Sequence, residues 1–91
     1  MSALSRAVGA RLRELRLDAE LTQVEVARRM GSHRPIVCRT ERGISALELS
    51  TLAAHARALE LDLLDVLALV DVDGLVTPGR RVTPGRKRVQ K

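Results

Sequence analysis

Two short helical patterns that meet at a glycine constrain this 91-residue chain more than any other feature. The first starts with Thr22, and Glu25 follows three residues later, in the Thr-x-x-Glu spacing of a capping box. A helix is therefore predicted to begin at Gln23. Its apolar face comprises Val26, Ala27 and Met30. Gly31 is predicted to end this helix, because the left-handed backbone conformation of a sharp turn costs glycine less energy than any residue with a side chain.

The second helical pattern follows at once and ends at Gly43. His33 occupies its capping position, and Pro35 lies in the first turn, where a missing N–H is tolerated. The residues that point inward or to the side are Ile36, Val37 and Thr40. The outer face is basic and comprises Arg34, Pro35, Cys38, Arg39 and Arg42. Two such helices, the second with a basic outer face, are typical of a helix-turn-helix unit.

A further helix is predicted before this unit and two after it. Helix one is predicted to have Ser2 as its cap and an apolar face that comprises Leu4, Val8, Leu12 and Leu15. Its other sides carry the arginines Arg6, Arg11, Arg13 and Arg16. The fourth helix is predicted to open with a second capping box, Ser45 to Glu48, and to turn inward Leu49, Leu52, Ala56 and Leu59.

A fifth helix is predicted to run through Leu67, or as far as Val70. The acidic Asp62 and Asp65 suit its first turn, because negative charge is favoured at a helix N-terminus. A β-strand in residues 62–72 is the alternative, because β-branched residues occur there. The expected fold is all-α: one compact domain of four to five helices in residues 1–70.

The charge of +5 is unevenly distributed. Residues 1–43 hold nine arginines and five acidic residues, residues 44–75 hold one arginine and six acidic residues, and residues 76–91 hold six basic residues and no acidic one. Two basic ends around an acidic middle indicate nucleic-acid contacts at each end and a separate face for protein contacts.

Residues 71–91 are predicted to form a flexible basic arm. A tandem repeat, Val-Thr-Pro-Gly-Arg followed by a second basic residue, begins at Val76 and again at Val82, and its Pro-Gly pairs cannot continue a helix. Either the arm is a solubilising tail, or it follows the DNA backbone and gains from counterion release. In the second interpretation the contacts come from Arg80, Arg81, Arg86, Lys87 and Arg88.

Composition excludes several function classes. The chain has no Phe, Tyr or Trp, so the ring stacking that holds single-stranded nucleic acid is missing and duplex DNA is the favoured partner. One cysteine and two histidines form neither a zinc site nor a catalytic constellation, so no metal, cofactor or enzymatic activity is expected. With no signal peptide and no apolar run long enough to cross a bilayer, the protein is expected to be cytoplasmic and not bound to a membrane.

The helix-turn-helix stretch resembles the phage-repressor (Cro/cI, also called XRE) family. Counted from Gln23, alanine stands at position 5, glycine at 9 and valine at 15, followed by Glu41-Arg42-Gly43, and the resemblance extends from about Val8 to Leu67. It implies a lambda-repressor-like fold and a DNA-binding transcriptional regulator, most simply a homodimeric repressor at a short palindromic operator.

The resemblance also implies roles for individual residues. Gln23 matches the family glutamine that contacts a phosphate and supports the recognition helix. Arg16 and Glu41 match a family ion pair that positions this helix. The DNA-facing residues would be His33, Arg34, Pro35, Cys38, Arg39 and Arg42, with Arg39 suited to guanine because its guanidinium offers two parallel donors.

Three positions depart from the family pattern. Glu20 stands where the family usually has glycine, and Thr40 and His55 replace residues that are usually aliphatic. His55 is expected to be a partly buried histidine with satisfied hydrogen bonds. An antitoxin that binds a partner toxin and represses its own promoter is the alternative function, since antitoxins of this family often also bind DNA.

Overall fold

The computed structural model describes residues 2–44, 48–68 and 70, which form five α-helices. In chain order these are α1 (Ala3–Asp18), α2 (Gln23–Met30), α3 (Arg34–Arg42), α4 (Leu49–Ala58) and α5 (Leu63–Leu67). The all-α prediction is confirmed. No helix in this part of the chain is both long and apolar enough to cross a membrane. The predicted arm lies outside the described residues.

The helices enclose one apolar core. α1 supplies the side chains of Val8, Leu12 and Leu15, as its helical spacing predicts, and it packs against α3 and α5. α2 packs against α3 and α4, and α4 packs against α5. The other buried apolar residues of this core are Val26, Ala27, Val37, Leu52, Ala56, Ala58, Leu59 and Val66. Because each helix is short, its stability comes mainly from this shared burial.

α1 crosses α3 at Gly9, where the two backbones nearly touch. A Cβ atom at Gly9 would overlap the carbonyl oxygen of Thr40 and lie 2.7 Å from that of Glu41. Backbone carbonyls inside a helix cannot swing aside as a flexible side chain can. The position of α3 against α1 therefore depends on the missing side chain at residue 9.

α1 and α4 end in the same kind of turn. Glu20 and Glu60 have positive φ angles of 61° and 62°, the left-handed conformation in which glycine is usual. The next residue closes each turn: Leu21 N–H donates to the Arg16 carbonyl at 3.2 Å, and Leu61 N–H donates to the Ala56 carbonyl at 2.8 Å. Glu20 thus adopts the conformation of the glycine that it replaces.

The prediction for the start of α4 is wrong. The helix begins at Leu49, and Glu48 is its N-cap residue with extended backbone angles (φ −122°, ψ 139°) and no side-chain cap hydrogen bond. Glu48 therefore cannot be the third helical residue of a capping box that starts at Ser45. Leu49 is also 70% exposed, in contrast to its predicted inward position. Leu52 is the first residue of α4 in the core.

The helical prediction for the segment after Asp62 is confirmed over a shorter range. α5 ends at Leu67, three residues before Val70, and the Asp62 N–H donates to the Asp65 carboxylate at 3.0 Å. Arg11, predicted to lie on the outer sides of α1, is instead buried. Its guanidinium donates to the Asp65 carbonyl of α5 at 3.4 Å.

Candidate nucleic-acid interface

The turn between α2 and α3 is built by local signals on both sides. The Thr22 hydroxyl accepts from the Glu25 N–H at 3.1 Å, and the Glu25 carboxylate accepts from the Thr22 N–H at 2.8 Å, so the predicted capping box is complete. These hydrogen bonds lower the pKa of Glu25 and keep its charge at the positive end of α2. Gly31 ends α2 with a φ of 72° and turns the chain into α3.

α3 presents an exposed, positively charged face. Val37, Thr40 and Glu41 are buried, and Cys38 is half-buried. His33 is the N-cap residue but makes no side-chain cap hydrogen bond, as expected from the weak capping ability of histidine. The exposed residues of this face are His33, Arg34, Pro35, Arg39 and Arg42. Three guanidinium groups therefore lie on the solvent side of one nine-residue helix.

A buried polar network sets the orientation of α3. The Arg16 guanidinium donates to both carboxylate oxygens of Glu41, with an Nε–Oε2 distance of 2.7 Å and an Nη2–Oε1 distance of 3.1 Å. Arg16 also donates to the Leu21 carbonyl at 2.9 Å, and the Gln23 amide donates to Glu41 Oε1 at 3.0 Å. The network joins α1, the turn after it, and the first residue of α2 to the end of α3.

Gln23 and Arg34 line the same open cleft, of about 490 Å³, beside the start of α2. Glu20 and Arg16 also border it. The cleft therefore combines a helix N-terminus, an amide and an exposed guanidinium, which favour a phosphate group, with the Glu20 carboxylate, which opposes it. No local pattern indicated that Glu20 would border this cleft, because its place depends on the path of the turn after α1.

Two core positions carry polar groups where an aliphatic residue was expected. Thr40 satisfies its hydroxyl by donating to the Ile36 carbonyl at 2.9 Å. His55 is 1% exposed, and neither ring nitrogen has a hydrogen-bond partner among the described residues. The prediction of a satisfied, partly buried histidine is therefore wrong. Burial lowers the pKa of His55, because it penalises the charged imidazolium.

Of the predicted DNA-binding residues, Gln23 and Arg34 border one cleft, and the others at or in α3 are exposed or half-buried. Arg80, Arg81, Arg86, Lys87 and Arg88 lie outside the described residues. In the described ranges, no group of three or more His, Cys, Asp or Glu residues is placed to hold a metal ion. One structural residue of this region was missed by the sequence patterns: Gly9, whose role depends on a contact between distant segments.

Comparison with known proteins supports this assignment of the helices. A family model described as a helix-turn-helix domain matches residues 7–70. The clp gene regulator ClgR from C. glutamicum is 32% identical and superimposes with a TM-score of 0.69, over 71% of this chain and 84% of that chain. The restriction-modification controller protein C.AhdI from Aeromonas hydrophila is 33% identical with a TM-score of 0.65, over 67% of this chain and 92% of that chain.

Antitoxin HigA1 from Mycobacterium tuberculosis is 50% identical over 46 residues, which are 50% of this chain. The match spans only 31% of the length of that relative. The matches to the family model and to two regulators of similar size agree with the geometry of α2, the Gly31 turn and α3. The chain belongs to the helix-turn-helix family of the Cro/cI (XRE) type.

Proposed function

We propose that this chain is a sequence-specific, duplex-DNA-binding transcriptional regulator, a homodimeric repressor that acts in the cytoplasm on a short palindromic operator. The observation that carries the proposal is the exposed face of α3, with Arg34, Arg39 and Arg42, held by a buried network at the opposite face. A rigid helix with donors on one side is the form in which proteins read the major groove. The structural relatives described as a gene regulator and a controller protein support the same function.

The proposal assigns base contacts to some of the DNA-facing residues and backbone contacts to the others. Arg34, Pro35, Cys38 and Arg39 read base edges, with Pro35 limited to a thymine methyl or a sugar because it has no N–H to donate. Gln23 and the start of α2 hold a phosphate, and His33 and Arg42 contact the backbone at the edges of the groove. Arg39 is central because it is exposed in the middle of the helix and is charged.

Dimerisation supplies a second copy of α3, which binds the second half-site of the operator. α5 offers an uncovered apolar side chain at Leu64, which is 73% exposed, next to the half-buried Leu63 and Leu67.

Footprinting on the promoter region of the gene itself tests the whole proposal. A symmetric protected region with two half-sites about one helical turn apart supports it, and a sedimentation mass near twice 10.0 kDa supports the dimer. Absence of any protected site, together with equal binding to all duplexes, contradicts sequence-specific regulation.

Replacing Arg39 with alanine is expected to weaken binding to the selected site by ~1–3 kcal/mol and to relax the base preference at one position in each half-site, because alanine cannot form the bidentate hydrogen bond to a base. The fold is expected to remain intact, since the side chain is exposed. Fluorescence anisotropy on the selected duplex and on single-base variants measures both effects. Arg57→Ala makes the same charge change on an exposed position of α4 and serves as the control. Equal losses on selected and random duplexes would show that Arg39 contacts only phosphate.

Deletion of residues 76–91 is expected to weaken binding to specific and random duplexes by similar factors, because the arm is proposed to follow the DNA backbone. The slope of log K against log salt should flatten by roughly 0.9 for each phosphate that each arm neutralises. A full-length control replaces Arg80, Arg81, Arg86, Lys87 and Arg88 with glutamine and should reproduce the effect. An unchanged slope in both variants would leave the arm as a solubilising tail.

A second candidate function is an antitoxin that binds a toxin and represses its own promoter. The match to Antitoxin HigA1 favours it specifically. It is compatible with DNA binding, and the net negative charge of residues 44–75, with six acidic residues and one arginine, is complementary to a basic partner. Co-expression with the product of the neighbouring gene decides the matter. Rescue of growth and a stable complex of the two chains support the antitoxin, whereas independent behaviour of the two chains contradicts it.

A further inference from the structure

Glu20 places a carboxylate in the cleft beside the start of α2, which Gln23 and Arg34 also line. Arg16 borders the same cleft, but its guanidinium is already bound to the carboxylate of Glu41. In the described part of the chain, Arg34 and Glu20 form no ion pair with each other. Their two charges are opposite in sign, so a phosphate group that enters the cleft meets no net positive charge.

The turn after α1 does not use the carboxylate of Glu20. The Glu20 N–H donates to the Leu17 carbonyl at 3.0 Å, and the Leu21 N–H donates to the Arg16 carbonyl at 3.2 Å. The Arg16 guanidinium in turn donates to the Leu21 carbonyl at 2.9 Å. These hydrogen bonds hold the turn through backbone atoms and Arg16, while the Glu20 side chain is exposed. A substitution at residue 20 therefore changes the charge of the cleft and leaves the turn in place.

We propose that Glu20 limits the affinity of the chain for DNA, because its carboxylate repels the backbone phosphate at this cleft. The inference rests on the proposed function, in which Gln23 and the start of α2 hold a phosphate. Arg34 attracts that phosphate, and Glu20 offsets the attraction from the same cleft. Because phosphate contacts carry no sequence information, the repulsion weakens the binding of selected and random duplexes alike.

α4 ends in the same kind of turn and provides a matched control at Glu60. Both glutamates are exposed, and their φ angles are 61° at Glu20 and 62° at Glu60. Glu60 borders a different cleft, of about 380 Å³, which is lined by residues of α2 and α4. Neutralising either side chain changes the net charge by the same amount at the same backbone conformation. A comparison of the two positions therefore separates a local effect at the cleft from the effect of net charge.

The test compares the wild-type chain with Glu20→Gln, Glu20→Gly, Glu60→Gln and Glu60→Gly. Glutamine keeps the size of the side chain, whereas glycine removes the carboxylate without adding a donor that could itself bind phosphate, and glycine adopts the left-handed conformation readily. Fluorescence anisotropy gives the affinity for a selected and a random duplex at several salt concentrations. Titration with inorganic phosphate, followed by the NMR shifts of the Gln23 and Val24 amides, reports on the cleft without DNA.

We expect both Glu20 variants to bind both duplexes roughly three- to fivefold more tightly per chain at low salt, as for two unit charges about 4–6 Å apart in water. The gain should shrink as salt increases, because exposed charges are screened. The Glu60 variants should show a clearly smaller gain. In the phosphate titration, the Gln23 and Val24 amides of the Glu20 variants should saturate at a lower phosphate concentration than those of the wild type.

Equal gains in the Glu20 and Glu60 variants overturn the inference, because net charge alone would explain them. A loss of affinity confined to one base position in each half-site also overturns it, since Glu20 would then contact a base or orient Arg34. Failure of every chain to bind any duplex instead contradicts the proposed function. The phosphate titration then still decides the role of Glu20: tighter phosphate binding in its variants alone supports the repulsion, and equal binding in all five chains overturns it.

Discussion

Replacing Glu41 with alanine is expected to lower the free energy of unfolding by about 3–5 kcal/mol. The side chains of Arg16 and Glu41 are only 10% and 2% exposed, so the guanidinium loses its carboxylate in a place that water does not reach easily. The Leu21 carbonyl, at 2.9 Å from Nη1, is the acceptor that remains. Gln23 loses its acceptor as well, so the hydrogen bond between the start of α2 and the end of α3 is lost.

Arg42→Ala provides the matched control, because Arg42 is the next residue, lies in the same helix and is exposed. Its expected cost is within about 0.5 kcal/mol, as for most surface substitutions. The double variant Arg16→Ala with Glu41→Ala should cost less than the sum of the single variants, because no unpaired charge is left buried. Chemical denaturation of the wild type and these variants measures the differences. Equal midpoints for Glu41→Ala and Arg42→Ala would contradict the structural role of the pair.

Gly9→Ala is expected to destabilise the domain by about 3 kcal/mol, although alanine is the better helix former. Helix propensity alone predicts the opposite sign, a gain of about 0.5–1 kcal/mol. The added Cβ would overlap the carbonyl oxygen of Thr40 and lie 2.9 Å from the carbonyl carbon of Glu41. α1 and α3 must then move apart, which also strains the Arg16–Glu41 pair that spans them.

The neighbouring position provides the control for Gly9. Ala10→Gly lies in the same helix but on its exposed side, and it measures the propensity difference without the close approach. We expect it to cost about 1 kcal/mol. Denaturant unfolding compares the two variants. A Gly9→Ala variant as stable as the wild type would show that the helices do not approach as closely as the structure has them.

Local signals in the sequence were sufficient for most of the helix-turn-helix unit. A capping box and a left-handed glycine each act within four residues along the chain, so the start of α2 at Gln23 and its end at Gly31 were predictable. The apolar spacing of α1 identified its buried face in the same way. The exposed face of α3 follows from that helix alone, because the buried Val37 and Thr40 determine which side is left for solvent.

Features that depend on long-range packing were not predictable. The Ser45 to Glu48 spacing favoured a capping box, but Glu48 is extended and α4 starts at Leu49. Arg11 resembles any surface arginine in the sequence, but it is buried and donates to the Asp65 carbonyl, 54 residues along the chain. Gly9 shows the same limit, because it meets the backbone of Thr40 and Glu41, which are distant along the chain.

The network behind α3 has a practical consequence for handling the protein. Salt strongly screens charges exposed to water, whereas a buried bidentate pair such as Arg16 and Glu41 is screened much less. High ionic strength should therefore strip bound nucleic acid from the arginines of α3 while the pair that holds the helix in place survives. A wash in concentrated salt during purification is the natural way to obtain this basic chain both folded and free of cellular DNA.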